Sequence, residues 1–113
     1  MAELDWGRRY LMCPPEHFGV LYEINPWMDA EVAVDVDRAR EQWEGLRSTL
    51  ELAGATVDIV RQTPEVPDMV FSANAGIVNV GPAGGPRFVP SHFRHRERQG
   101  ETEQFASWFA GQG

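Results

Sequence analysis

Two polar side chains stand in the most apolar part of this sequence, Asp68 and Asn74 in the stretch PDMVFSANAG, Pro67 to Gly76. Burying a carboxylate or an amide without a partner costs roughly a few kcal/mol. Either local turn chemistry satisfies these groups or something outside the chain does. A proline precedes Asp68, which suits an Asx turn, and Ala-Gly follows Asn74, which suits a turn residue. Local grounds therefore leave both answers open. Asn25, before Pro26, is likewise an ordinary turn opener that sits on an aromatic-rich loop.

The other chemistry-bearing residues are quickly bounded. Cys13 and the histidines His17, His92 and His95 do not have the spacing of a zinc site, so neither a metal nor a cofactor is expected. Cys13 ends a short apolar run and reads as an inert small hydrophobe. The turn GPAGGP, Gly81 to Pro86, is followed by no Lys-Ser/Thr pair and opens no helix, so it is structural rather than a phosphate cradle. The run HFRHRER, His92 to Arg98, is the one basic cluster, and Glu101 and Glu103 follow it at once. For Arg96 and Arg98 a solvated charge run suffices.

Composition narrows the class further. A formal net charge of -7 argues against a nucleic-acid surface, which needs clustered Lys and Arg. No apolar run approaches the roughly 20 residues of a membrane span, and MAELDWGRRYLM lacks the apolar core of a signal peptide. A single cysteine allows no internal disulfide and fits a reducing cytoplasm. A soluble cytosolic protein is expected, and 113 residues make at most one modest domain.

Elements must hold these residues. Arg9 to Cys13 reads as a short strand running into Pro14-Pro15, and Pro14 to Ala33 as a long ordered loop bearing Phe18, Tyr22 and Trp27. Val36, Ala39, Trp43, Leu46, Leu50 and Ala53 form one apolar stripe, predicting a helix over Asp35 to Ala53. Asp35 or Asp37 caps its start, and Gly54 supplies a left-handed end. Strands are expected over Ala55 to Val60, Met69 to Phe71, Ile77 to Val80 and Arg87 to Pro90, the last two joined as a hairpin by the Gly-rich turn. A second helix is expected over Glu101 to Ala110, with Phe105, Trp108 and Phe109 on a face left uncovered. The rhythm is α/β.

Three ordered segments resemble one family: YLMCPPEHFGVLYEINPWM (Tyr10 to Met28), VPDMVFSANAG (Val66 to Gly76) and SHFRHRERQGE (Ser91 to Glu101). The combination resembles the N-terminal part of the guanidino-group-modifying enzymes, which include amidinotransferases, dimethylarginine dimethylaminohydrolases, arginine deiminases and arginine dihydrolases. Asn25 and Asn74 resemble most the arginine-dihydrolase and bacterial amidinotransferase-like branch. The resemblance implies an α/β propeller (pentein) of ββαβ units around a central channel. About two of the five units would be present, and residues 1–113 would be a truncated N-terminal portion of a single catalytic domain.

It also implies roles. Asp68 would be the carboxylate that holds a guanidinium, a planar fork matched by carboxylates and amide oxygens. Asn74, where relatives often carry an acid, would add an amide to the same pocket beside Phe71. Asn25 would cover the other side from a lid-like loop. The relatives' pattern, close to S-R-F-x-H-x-x-R-Q-G-E, puts His92 at the position of the arginine that binds the substrate carboxylate, with Arg94 two residues on. The nucleophilic cysteine and the acid–base histidine of the family would lie beyond residue 113. The expected function is therefore substrate recognition in an enzyme acting on arginine or methylarginine through a cysteine adduct, most simply a hydrolase. The alternatives are an amidinotransferase, or a non-catalytic arginine-binding half-propeller that self-associates into a homo-oligomer. The expected partner is a small guanidino compound, with no nucleic acid and no membrane.

Overall fold

The structure, a computed structural model, describes residues 8–79 and 87–112. Strand β1 (Arg9–Met12) leads through a long loop to helix α1 (Val36–Leu52), and α1 returns to strand β2 (Thr56–Ile59). β1 and β2 pair in parallel, Arg9 opposite Thr56 through Met12 opposite Ile59. Strands β3 (Gly76–Asn79) and β4 (Arg87–Pro90) form an antiparallel pair, and helix α2 (Arg96–Ala110) follows. The architecture is mixed α/β, and among the described residues the two strand pairs remain separate. Within the same residues no helix is long and apolar enough to cross a membrane. The Gly81-to-Pro86 turn and Val80 lie outside the described residues.

Each boundary has a local cause. Asp35 caps α1 by accepting from the backbone N–H of Arg38 at 3.0 Å, and Gly54 takes φ +97 just past its end, where a side chain would be strained. Gly76 opens β3 because a Cβ there would lie 2.2 Å from the Val89 carbonyl oxygen and 2.7 Å from the Phe88 ring. The sequence expectation fails at Met69 to Phe71, where the chain forms two short 3-10 turns, Pro67–Val70 and Ser72–Asn74, instead of a strand. Pro67 presets the first turn. Amides then donate three residues back, Phe71 to Asp68 at 3.0 Å, Asn74 to Phe71 at 3.1 Å and Ala75 to Ser72 at 3.0 Å. This geometry spreads the apolar triplet in three directions: Met69 is fully buried, Val70 half-buried and Phe71 exposed.

The core gathers Cys13, Val60, Val66, Met69, Ala75 and Phe105, with Leu11, Phe88 and Trp108 packed against it. It thus joins the ends of β1 and β2 to the 3-10 turns and α2. Helix α2 begins at Arg96, a full turn before the expected Glu101, and its aromatic face is not open. Phe105 is fully buried, and Phe109 stacks on Phe88 with ring centroids 3.9 Å apart. The stripe of α1 is the reverse case: Trp43 is its one buried residue and Leu46 is 55% exposed.

Candidate functional site

Asp68 sits in the first 3-10 turn, 6% exposed, a carboxylate placed in the core wall by the turn that follows Pro67. Its Oδ2 accepts a hydrogen bond from the Tyr22 hydroxyl, which the long loop delivers. Burial and the neighbouring Asp68 carboxylate push the Tyr22 phenol above its ordinary range. A second contact of the same loop lies alongside, the edge-to-face pair Phe18–Phe71 at 5.6 Å. Gln62 fixes the approach of both segments. Its side chain accepts from the His17 backbone N–H at 2.9 Å and donates to the carbonyls of Val66 and Pro67 at 2.9 and 3.1 Å.

Asn74, in the second turn, is exposed, and it is held from behind. Its Oδ1 accepts from Arg98 Nη1 at 3.0 Å, and its carbonyl accepts from the Ser91 hydroxyl. Ser91 in turn ties this turn to α2, because its own carbonyl accepts from the Thr102 hydroxyl at 2.8 Å. Ser72 anchors the turn to β1 by donating to the Leu11 carbonyl at 3.1 Å.

Arg98 is the hub of this surface. It donates to both oxygens of Glu101, Nε to Oε2 at 2.8 Å and Nη2 to Oε1 at 2.9 Å, and Nη2 also reaches the Asp68 carbonyl at 3.2 Å. The guanidinium lies 4.5 Å from the centre of the Phe93 ring. Glu101 is fully buried, and burial pushes its carboxyl up from the ordinary range, an effect the Arg98 fork only partly offsets.

The structure therefore brings Asp68, Asn74 and Phe71 onto one pair of adjoining turns. It does not bring Asn25 to them: Asn25 is exposed and its Oδ1 accepts from the Trp27 backbone N–H at 3.0 Å, an Asx turn. His92 and Arg94 are exposed and, among the described residues, make no hydrogen bond or ion pair. Sequence reasoning missed Arg98 and Glu101, which it treated as a solvated charge run and a helix start. The signal was the three-residue spacing Arg98-Gln99-Gly100-Glu101, which places both side chains on one helical face once α2 is allowed to begin earlier. A concave surface of about 510 Å³ lined by Glu65, Val66, Arg96, Glu97 and Gly100 includes neither Asp68 nor Asn74.

Cys13 is fully buried, and its thiol is pushed up to about 12, chiefly by burial, with Glu16 and Glu101 adding to the rise. Both the enclosure and the raised pKa work against thiolate formation near neutral pH.

No family model matches the chain. Over 106 residues it is 48% identical to the bifunctional arginine dihydrolase/ornithine cyclodeaminase AgrE of Nostoc sp., covering 93% of this chain and 14% of that protein. It is 43% identical to the N(G),N(G)-dimethylarginine dimethylaminohydrolase of Mycobacterium tuberculosis, covering 94% of this chain and 33% of the relative. Its fold matches the N-terminal domain of the cyanobacterial arginine dihydrolase ArgZ in a substrate-bound crystal structure. That match has a TM-score of 0.80 at 45% identity, over 93% of this chain and 37% of that one. The chain thus spans a third or less of the length of the two curated relatives. Its homologues are guanidino-group-modifying enzymes, and the chain matches their N-terminal part.

Proposed function

We propose that this chain is the substrate-recognition portion of a single catalytic domain that acts on the guanidino group of arginine or a methylated arginine. The observation that carries this reading is the buried Asp68 carboxylate, on the turn that adjoins the one bearing Asn74, in a chain nearly half identical to arginine-acting enzymes. A carboxylate in that setting matches a forked cation by charge-assisted hydrogen bonds. Phe71, 51% exposed, offers an apolar wall beside it, and the Tyr22 loop closes over it from the other chain segment.

The element order supports a propeller of ββαβ units. β1-α1-β2 supplies the last three elements of one unit, and β3-β4-α2 the first three of the next. The described residues would then form parts of about two of the five units. The covalent step belongs to a cysteine and a histidine supplied from outside these 113 residues, since Cys13 is inert, and this chain by itself is inactive. Hydrolysis is favoured over amidino transfer because the named relatives are hydrolases. The one cysteine, free and buried, suits a cytoplasmic setting.

A second reading, an arginine-binding module that self-associates, is favoured by the hairpin. The cross-strand pair Ile77 and Val89 is 71% and 60% exposed, an apolar face of the kind that seeks cover. Light-scattering mass together with calorimetric titration of L-arginine tests both readings. Binding that disappears in Asp68→Ala supports the recognition site. A discrete oligomer that binds points to the module. A folded chain that ignores L-arginine, or binds it equally well in Asp68→Ala, refutes the assignment.

A further inference from the structure

Arginine carries only N–H donors, so the Asn74 atom that faces Arg98 must be the amide oxygen. That fixes an orientation usually left ambiguous in an asparagine. Four of the five guanidinium hydrogens of Arg98 are engaged, by Asn74 Oδ1, the Asp68 carbonyl and the two Glu101 oxygens. Phe93 lies against its face. The Arg98 side chain is 13% exposed and Glu101 is fully enclosed, so the fork is held in one geometry. Asn74 is exposed, and its Nδ2 makes no hydrogen bond among the described residues.

We propose that Arg98 is a positioning residue that locks the Asn74 amide with its NH2 group turned away from the helix. The ligand surface read from Asp68 and Asn74 then offers a carboxylate acceptor on one turn and an amide donor on the next, rather than two acceptors. This rests on the reading of that surface as the ligand site. A guanidinium, which only donates, satisfies Asp68 but meets an opposing donor at Asn74. A ureido group, which carries N–H donors and a carbonyl oxygen, satisfies both. Arg98 thereby narrows the preference for guanidinium over ureido ligands, although it touches neither. Without the lock the amide rotates and presents its oxygen to a cation.

The test uses the intact chain, L-arginine and L-citrulline as probes, and Arg98→Lys as the variant. Lysine keeps a charge opposite buried Glu101 but cannot reach Asn74, Asp68 and both Glu101 oxygens at once. The ratio of the L-citrulline to the L-arginine dissociation constant should rise about tenfold in Arg98→Lys, the effect of one hydrogen bond gained or lost. A role confined to structure would weaken both ligands together and leave the ratio unchanged, which overturns the proposal. A second measurement needs no ligand: a through-hydrogen-bond NMR coupling from Arg98 Nη1 to the Asn74 amide carbon, present in the parent and lost in Arg98→Lys. If the coupling is present and neither ligand binds, the binding-site reading fails and the lock stands. If the coupling is missing in a folded parent, the lock itself is wrong.

Discussion

Helix α1 is assembled largely from its own residues, whereas α2 is held by what it packs against. In α1, Asp35 caps the first turn, Arg47 pairs with Glu51 one turn on at 3.1 Å, and Thr49 bonds back to the Gly45 carbonyl at 2.8 Å. Its single buried side chain, Trp43, keeps an indole N–H with no acceptor among the described residues. In α2 the N-cap residue His95 makes no side-chain capping bond, yet Phe105 and Glu101 are fully enclosed and Arg98 reaches both 3-10 turns. A helix supported locally can sit at the periphery; a helix that builds a site must be supported by the site. Neighbouring charges on α1 are solvated pairs worth a few tenths of a kcal/mol each, while the charges on α2 are scaffold.

The contrast is broken most sharply at Phe105. Replacing it with alanine removes the largest fully buried side chain, at the contact of α2 with Met69 and Cys13. The expected loss is about 3–5 kcal/mol in urea unfolding. A loss below about 1 kcal/mol would mean that α2 does not anchor the core and that the two helices are alike.

Alkaline pH probes the same core through Cys13. Its thiol is pushed from an ordinary value near 9.0 up to about 12, so the folded state holds a proton that the unfolded state releases. The associated stability is complete below pH ~9 and declines as pH rises toward 12, by about 1.4 kcal/mol per unit for one proton. Tyr22, raised as well, acts in the same direction. Urea midpoints measured at pH 8, 9 and 10 should therefore fall, and Cys13→Ala should flatten the decline. An equally steep decline in that variant would remove Cys13 as its source.

What the sequence made legible follows this division. The α1 stripe, the Asp35 cap and the Gly54 stop are all encoded within one turn of the residues concerned, so α1 was located to within a residue at each end. Strands are expected at Ile77 to Val80 and Arg87 to Pro90, and the described residues pair Gly76–Asn79 with Arg87–Pro90. The apolar triplet Met69-Val70-Phe71 carried no periodic signal, and Pro67 with its three-residue hydrogen bonds decided in favour of 3-10 geometry. The resemblance singles out Asp68 and Asn74, which fall on two adjoining 3-10 turns, Asp68 buried and Asn74 exposed. The Arg98–Glu101 pair is local, but its link to the 3-10 turns is not, since Arg98 reaches partners 24 and 30 residues away along the chain. Single-sequence patterns do not record such distances. For the same reason the α1 stripe predicts a helix but not its burial: periodicity shows which side chains share a face, not whether anything covers them.

Capping gives the next comparison. Asp35→Ala should cost about 1 kcal/mol, because the Arg38 backbone N–H loses its acceptor. His95→Ala should cost far less, having no capping bond to lose. Circular dichroism melts of the two variants separate these outcomes. Equal effects would show that the start of α2 is defined locally after all.

The smallest effect is expected on the outer face of α1. Leu46 is 55% exposed, and glutamine has nearly the same helix propensity as leucine. Leu46→Gln should therefore change stability by less than about 0.5 kcal/mol. A larger loss would mean that this face is covered in solution. Covering by a second copy would make the loss depend on protein concentration, whereas covering by the chain itself would not. Urea midpoints at two concentrations a hundredfold apart separate these cases, and an unchanged, small effect at both keeps α1 a peripheral, self-supported helix.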